Sequence, residues 1–160
     1  MSLLDIDERI LEVAKLADIV KSPVVDGKEL PEVDVALVEG AVANEEHLQE
    51  IRHIREKAKI LVSFGDCAVT GNVASLRNPI NKEAVLRRSY LEVPSTDQGR
   101  IPDDAEVSKL IDRVRPLHEV VKVDYYLPGC PPHADLIFYV LAELLQDRVP
   151  QIDREKLKYG

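Results

Sequence analysis

The sequence predicts an α/β fold, an open parallel sheet covered by helices on both faces, and three observations predict it. Short, nearly continuous apolar runs read as strands buried on both sides: "VDVALV" from Val33, "KILVSF" from Lys59 and "VVKVDYYL" from Val120. Segments whose apolar residues recur at helical spacing lie between and around these runs. The two kinds of segment alternate along the chain, the pattern of βαβ units.

Leu3, Ile6, Ile10, Val13, Ala14, Ala17 and Val20 mark one face of an opening helix over Leu3 to Val20. The turn-rich "KSPVVDGKELPE" then leads into the first strand, which ends at Glu39-Gly40. Asn44 suits a helix cap, Glu45 and Glu46 suit the positive end, and Leu48, Ile51, Ile54 and Ala58 form the buried face. "KILVSF" follows at once. Ala74 to Asp104 is a long polar stretch with a short helical signal at Lys82 to Arg88. Val107, Leu110, Ile111 and Val114 have helical spacing, and Leu136, Ile137, Val140, Leu141, Leu144 and Leu145 have it more strongly, after the strand "VVKVDYYL". One domain over residues 1–146 and a polar tail over 147–160 are expected.

The chain carries 29 acidic and 21 basic residues, a net charge of −8, which speaks against a nucleic-acid partner. Its longest apolar stretch, Leu136 to Leu145, is interrupted by Glu143 and is too short for a membrane span. A cytoplasmic location is expected. The two cysteines suit metal or redox chemistry better than a disulfide in a reducing compartment.

Those cysteines define the candidate site. Cys67 lies in "LVSFGDCAVTGN" and Cys130 in "YYLPGCPPHAD", each just past a strand-like run. In open parallel sheets, ligands bind beyond the carboxyl ends of the strands, so the loops carrying Glu39, Cys67 and Cys130 are expected to converge. Gly65, Gly71 and Gly129 let the backbone approach closely and aim amides at sulfur. Pro131 and Pro132 suit a first helical turn, which would put Cys130 near a helix amino end.

Other readings compete. Each cysteine taken singly is equally well a half-buried structural residue. "GDCAVTGN" lacks the Lys-Ser/Thr ending of a phosphate loop and the spaced glycines of a dinucleotide fingerprint. Zinc held by Cys67, Cys130 and His133 lacks a fourth ligand and the usual paired spacing. Nothing fixes a histidine beside either thiol for a papain-like pair. His47, His53 and His118 read as solvated or capping residues. Glu39 is either a proton-handling carboxylate or an ordinary loop residue. The run Arg77, Lys82, Arg87 and Arg88 is either a solvated face or a docking patch for a partner.

Two segments carry a resemblance: "ALVEGAVANEEHLQEIRHIREKAKILVSFGDCAVTGNVASLRNP" and "VDYYLPGCPPHADLI". With Val-Glu-Gly, Gly-Asp-Cys-Ala and Pro-Gly-Cys-Pro-Pro in order at strand ends, the chain resembles the small subunit of cytosolic NAD-reducing nickel-iron hydrogenases. More distantly it is similar to the 20 kDa iron-sulfur subunit of respiratory complex I. The resemblance implies a flavodoxin-like domain holding one 4Fe-4S cluster, with Cys67 and Cys130 as its third and fourth ligands. Gly65, Gly71, Gly129 and Pro131 would shape their loops, and Glu39 would lie beside the cluster. The implied role is electron transfer between a nickel-iron large subunit and the iron-sulfur and flavin subunits of a diaphorase that reduces NAD. FMN binding is left open.

The resemblance also implies what these residues lack. In the family an opening strand leads to Cys-x-x-Cys-His, then to a Met-Ser pair and a helix like the one here. The sequence starts at Met1-Ser2, so the family's first strand and two of the four expected ligands are absent from it. Loss of that strand is expected to expose apolar sheet edges. Two explanations stay open: a product that starts upstream with a four-cysteine site, or a short paralogue acting as a cluster-free or flavin-binding interaction subunit.

Overall fold

The computed structural model describes residues 2–22, 29–152 and 157. In chain order, a 3-10 segment Ser2–Arg9 runs into α1 (Ile10–Leu16), followed by β1 (Val33–Glu39), β2 (Val42–Asn44), α2 (Glu45–Lys57) and β3 (Ala58–Phe64). Then come α3 (Asp66–Thr70), a 3-10 segment Asn72–Arg77, α4 (Lys82–Tyr90) and β4 (Leu110–Arg115). A 3-10 turn Leu117–Glu119, β5 (Tyr125–Leu127) and α5 (Ala134–Leu144) complete the order.

β1, β3 and β5 form a parallel sheet in the order β1-β3-β5, so the expected α/β architecture is present. Alternation along the strands divides the core in two. On one face Val62, Phe64 and Leu127 pack with Ile6, Val13 and the apolar side of α5. On the other, Leu61 packs with Val42, Ile51, Ala68 and Leu117. α5 buries Leu136, Ile137, Val140, Leu141 and Leu144; full burial of such a side chain is worth about 1.5–3 kcal/mol. β1 stands at the end of the sheet order, and its half-buried Val33, Val35 and Leu37 line a cavity of about 1210 Å³.

Several expected elements take another form. The opening helix is broken: Asp7 sits at φ 54°, ψ −134°, α1 is only seven residues long, and the backbone is extended at Ala17. Asp is among the few residue types that tolerate positive φ. Leu110–Arg115 is a strand, not the helix that the spacing of Val107, Leu110, Ile111 and Val114 suggests, and it pairs antiparallel with β2. Pairing with a partner strand outweighs a four-residue periodic signal. Of "VVKVDYYL" only Tyr125–Leu127 is strand, because Val120 and Val121 close the preceding turn through amide bonds to the Leu117 carbonyl at 2.9 and 3.0 Å. Past α5, Pro150 is buried, the Gln151 amide donates to Tyr139 Oη at 3.1 Å, and Ile152 and Leu157 pack on the larger core cluster.

The basic run is used internally. The Arg77 guanidinium donates to the carbonyls of Ala43, Ile111 and Asp112 at 3.0, 2.8 and 3.2 Å. Lys82 pairs with Asp112 at 2.7 Å, and Arg87 with Glu92 at 3.2 Å. Arg88 donates to the Glu92 carbonyl at 3.4 Å. These contacts explain the local positive charge by the β2-β4 pair and the end of α4.

Candidate functional site

Strand register builds the site. Glu39 pairs with Phe64, and Phe64 with Leu127, so three parallel strands end flush at one rim. The Gly65 amide extends the ladder to the Leu127 carbonyl at 2.8 Å. Asp66-Cys67 follow Gly65, and Gly129-Cys130 follow Leu127 after Pro128. Glu39, Cys67 and Cys130 therefore line one cavity of about 600 Å³, together with Gly65, Gly129 and Pro131. The convergence expected from the sequence is what the fold produces. Both thiols are free, Cys67 half-buried and Cys130 exposed.

Each loop has a local cause. Gly65, at φ +81°, turns the chain from β3 into α3. Gly71, left-handed at φ +86°, ends α3, its amide donating to the Cys67 carbonyl at 3.0 Å. It shapes the Cys67 loop from one turn away and is not among the residues lining the cavity. Gly129 combines φ +135° with a close approach: a Cβ there would lie 2.5 Å from Pro132 Cα and 2.7 Å from Pro132 N. No side chain fits at that position.

The helix relations differ from those expected. Pro131 and Pro132 precede the helix, because α5 begins at Ala134 after the cap residue His133. The thiol inside a first helical turn is that of Cys67, the second residue of α3. The Cys130-Pro131 peptide is cis.

Asp66 was visible in the sequence only as the middle letter of Gly-Asp-Cys. In the fold its Oδ1 accepts a hydrogen bond from the Gly129 amide at 2.7 Å, and its own amide donates to the Gly129 carbonyl at 2.9 Å. One residue thus holds both cysteine loops. Glu50 of α2 also lines the cavity and was not singled out by any motif.

The histidines act as caps or surface residues, although His47 also lines the cavity. His47 Nδ1 accepts from the Ala43 amide at 3.4 Å, while Asn44 Oδ1 accepts from the His47 amide at 2.7 Å, a reciprocal cap on α2. His53 is exposed, and His118 meets Tyr126 edge-on at 6.0 Å. His133 Nδ1 accepts from the Asp135 amide at 3.3 Å. Committed to that cap, His133 is absent from the cavity lining, and among the described residues no three His, Cys, Asp or Glu side chains form a metal-holding group. The zinc reading is set aside on this geometry.

The donor set bears on an iron-sulfur group in two ways. Thiols in a cavity lined by glycines, prolines and apolar side chains, with Glu39, His47, Glu50 and Asp66 also in the lining, suit a thiolate-held cluster in donor type. They amount to two of the four thiolates such a cluster takes.

A family model described as NADH ubiquinone oxidoreductase, 20 Kd subunit, matches residues 1–144. The chain belongs to this family. As a 20 Kd subunit family member it is 38% identical over 152 residues to the delta subunit of the NAD-reducing hydrogenase HoxS of Cupriavidus necator, covering 92% of this chain and 73% of that one. It is 40% identical over 151 residues to a subunit of the F420-non-reducing hydrogenase of Methanothermobacter marburgensis, covering 91% of this chain and 49% of that relative. The chain thus spans about half the length of the latter relative. A solved NAD+-reducing nickel-iron hydrogenase in the H2-reduced state contains a chain that superposes with a TM-score of 0.96 at 40% identity. That match covers 100% of this chain and 90% of the solved one. The likeness to hydrogenase subunits expected from the motifs is therefore found. None of these descriptions names a flavin, and the FMN expectation gains no support. Among the described residues no helix is long and apolar enough to cross a membrane.

Proposed function

We propose that this 20 Kd subunit family member is the electron-transferring iron-sulfur subunit of a soluble, cytoplasmic nickel-iron hydrogenase. It would relay electrons between a nickel-iron large subunit and a diaphorase that reduces NAD. The observation carrying this reading is the meeting of Cys67 and Cys130 at one cavity on the carboxyl rim of the sheet. In it, Cys67 and Cys130 supply two ligands of a 4Fe-4S cluster, and the other two thiolates come from outside these 160 residues. A cluster held there supplies one-electron transfer. The chain's own contribution is placement: flush strand ends set both loops at one level, Gly129 admits the close turn before Cys130, and Asp66 ties the loops together.

The test is iron and acid-labile sulfide analysis of the anaerobically purified assembly with its large subunit. About four acid-labile sulfides per chain and about four irons beyond those of the nickel-iron centre are expected, both lowered in Cys67→Ser and Cys130→Ser. Near-zero acid-labile sulfide in a correctly assembled complex, with no iron beyond the large subunit's own, overturns the reading. That outcome selects a second reading, a cluster-free interaction subunit, which is favoured by one observation: among the described residues no three His, Cys, Asp or Glu side chains are arranged to hold a metal ion.

A further inference from the structure

We propose that Asp66 is the positioning residue of the cysteine pair, fixing the Cys67 loop against the Cys130 loop before any metal binds. The proposal rests on the reading of Cys67 and Cys130 as partners in one site. Asp66 and Gly129 are 63 residues apart in the chain, and each immediately precedes a cysteine. Regular pairing between their strands ends at Phe64 and Leu127. Past that point the loops are joined by the Gly65 amide on the Leu127 carbonyl, and then by the two bonds of Asp66: its amide to the Gly129 carbonyl at 2.9 Å, and the Gly129 amide to its Oδ1 at 2.7 Å.

The side-chain bond is the one that sequence can remove. Gly129 is buried, so loss of its acceptor leaves a buried N–H without a partner, which costs more than an average hydrogen bond contributes. No residue with a side chain can stand at Gly129, since its turn against Pro132 leaves no room for a Cβ. A displacement at this bond reaches Cys130 through one peptide unit, since Gly129 immediately precedes it. An Asn at position 66 keeps the acceptor oxygen and removes the charge; an Ala removes both.

Dithiol chelation by phenylarsine oxide reads the spacing of the pair without a cluster. The reagent condenses with two neighbouring thiols, forms two arsenic-sulfur bonds and releases water, with no redox change. In the full chain, wild type and Asp66→Asn are expected to retain the arsenical against excess monothiol. Asp66→Ala is expected to bind it about tenfold or more weakly, the factor one buried hydrogen bond is worth. Alkylation of each single thiol should change little. Wild-type affinity in Asp66→Ala, equal weakening in Asp66→Asn, or no chelation by the wild type overturns the proposal. If Asp66→Ala does not fold, hydrogen exchange at the Gly129 amide of the wild-type chain decides. Protection of about tenfold or more is expected, and unprotected exchange overturns the proposal. Retained chelation in an assembly without iron would overturn the cluster reading and leave the role of Asp66 standing.

Discussion

The guanidinium of Arg55 and the carboxylate of Asp124 meet at 2.6 Å, both side chains about one-fifth exposed. Arg55 sits in the last turn of α2, and Asp124 leads into β5. Arg55 also donates to the carbonyls of Ala58, Lys59 and Lys122, while the Leu61 amide donates to Asp124 Oδ2 at 2.9 Å and the Asp124 amide to the Leu61 carbonyl at 2.9 Å. The pair locks the entry of β5 beside β3 and so sets the register that brings the cysteine loops level at the far rim. Arg55→Met is expected to cost about 1.5–3 kcal/mol, the worth of hydrogen bonds to a charged group, read as a lower urea midpoint at unchanged slope.

The same pair gives a pH dependence. Burial pushes the Asp124 carboxyl up, but the Leu61 amide and the Arg55 guanidinium outweigh it and hold the group below its ordinary value. A carboxyl lowered in the folded state adds stability that is present above its unfolded pKa of about 3.9 and is lost as the pH falls through the folded value. The urea resistance of wild type should therefore weaken as the pH drops below about 4. In Asp124→Asn that acid-side loss should be smaller. Equal acid sensitivity in the two proteins would count against this assignment.

Gly129 and Gly40 separate crowding from backbone strain. Both have positive φ, at +135° and +87°, but a Cβ at Gly40 meets nothing within 4 Å. Gly40→Ala should cost about 1–2 kcal/mol, the left-handed penalty alone. Gly129→Ala should cost more than that and yield little folded protein, as read by thermal melting of the soluble fraction.

Ser63 is fully buried in β3, and its Oγ has no hydrogen-bond partner among the described residues. Removing an unsatisfied buried hydroxyl relieves a desolvation cost. Ser63→Ala is expected to be neutral or stabilising by up to about 1 kcal/mol in denaturant unfolding. A clear loss of stability would mean that the hydroxyl is satisfied after all.

Arg77 should matter to folding and Arg87 and Arg88 should not. The three carbonyls on Arg77 join β2 to β4, so Arg77→Ala should cost about 1.5–3 kcal/mol. Charge reversal at Arg87 and Arg88 removes exposed contacts to Glu92 and should change stability by about 0.5 kcal/mol or less. Comparing the two melting temperatures tests the contrast.

The strand runs were legible because a parallel strand covered on both faces must be apolar throughout, and α5 because five buried side chains repeat at helical spacing. The convergence of Glu39, Cys67 and Cys130 was legible because parallel strands deliver their following loops to a common rim. The break at Asp7 and the 3-10 turn that shortens "VVKVDYYL" were not, since the apolar pattern runs through both without a Gly or Pro inside it to mark them, and the strand at Leu110–Arg115 was not, since it depends on pairing with the distant β2. The internal role of Arg77 was hidden for that reason: the carbonyls it serves are 34 or 35 residues away in the chain.

The order of residues by itself determined which chemistry this protein carries: two thiols at strand ends in glycine-bracketed loops, within a 20 Kd subunit family chain. Tertiary structure alone decided how those thiols are held. The hydrogen bond from the Gly129 amide to Asp66 spans two loops that local pattern treats as unrelated, and no periodicity or motif encodes a bond whose partners become neighbours only when β3 and β5 pair.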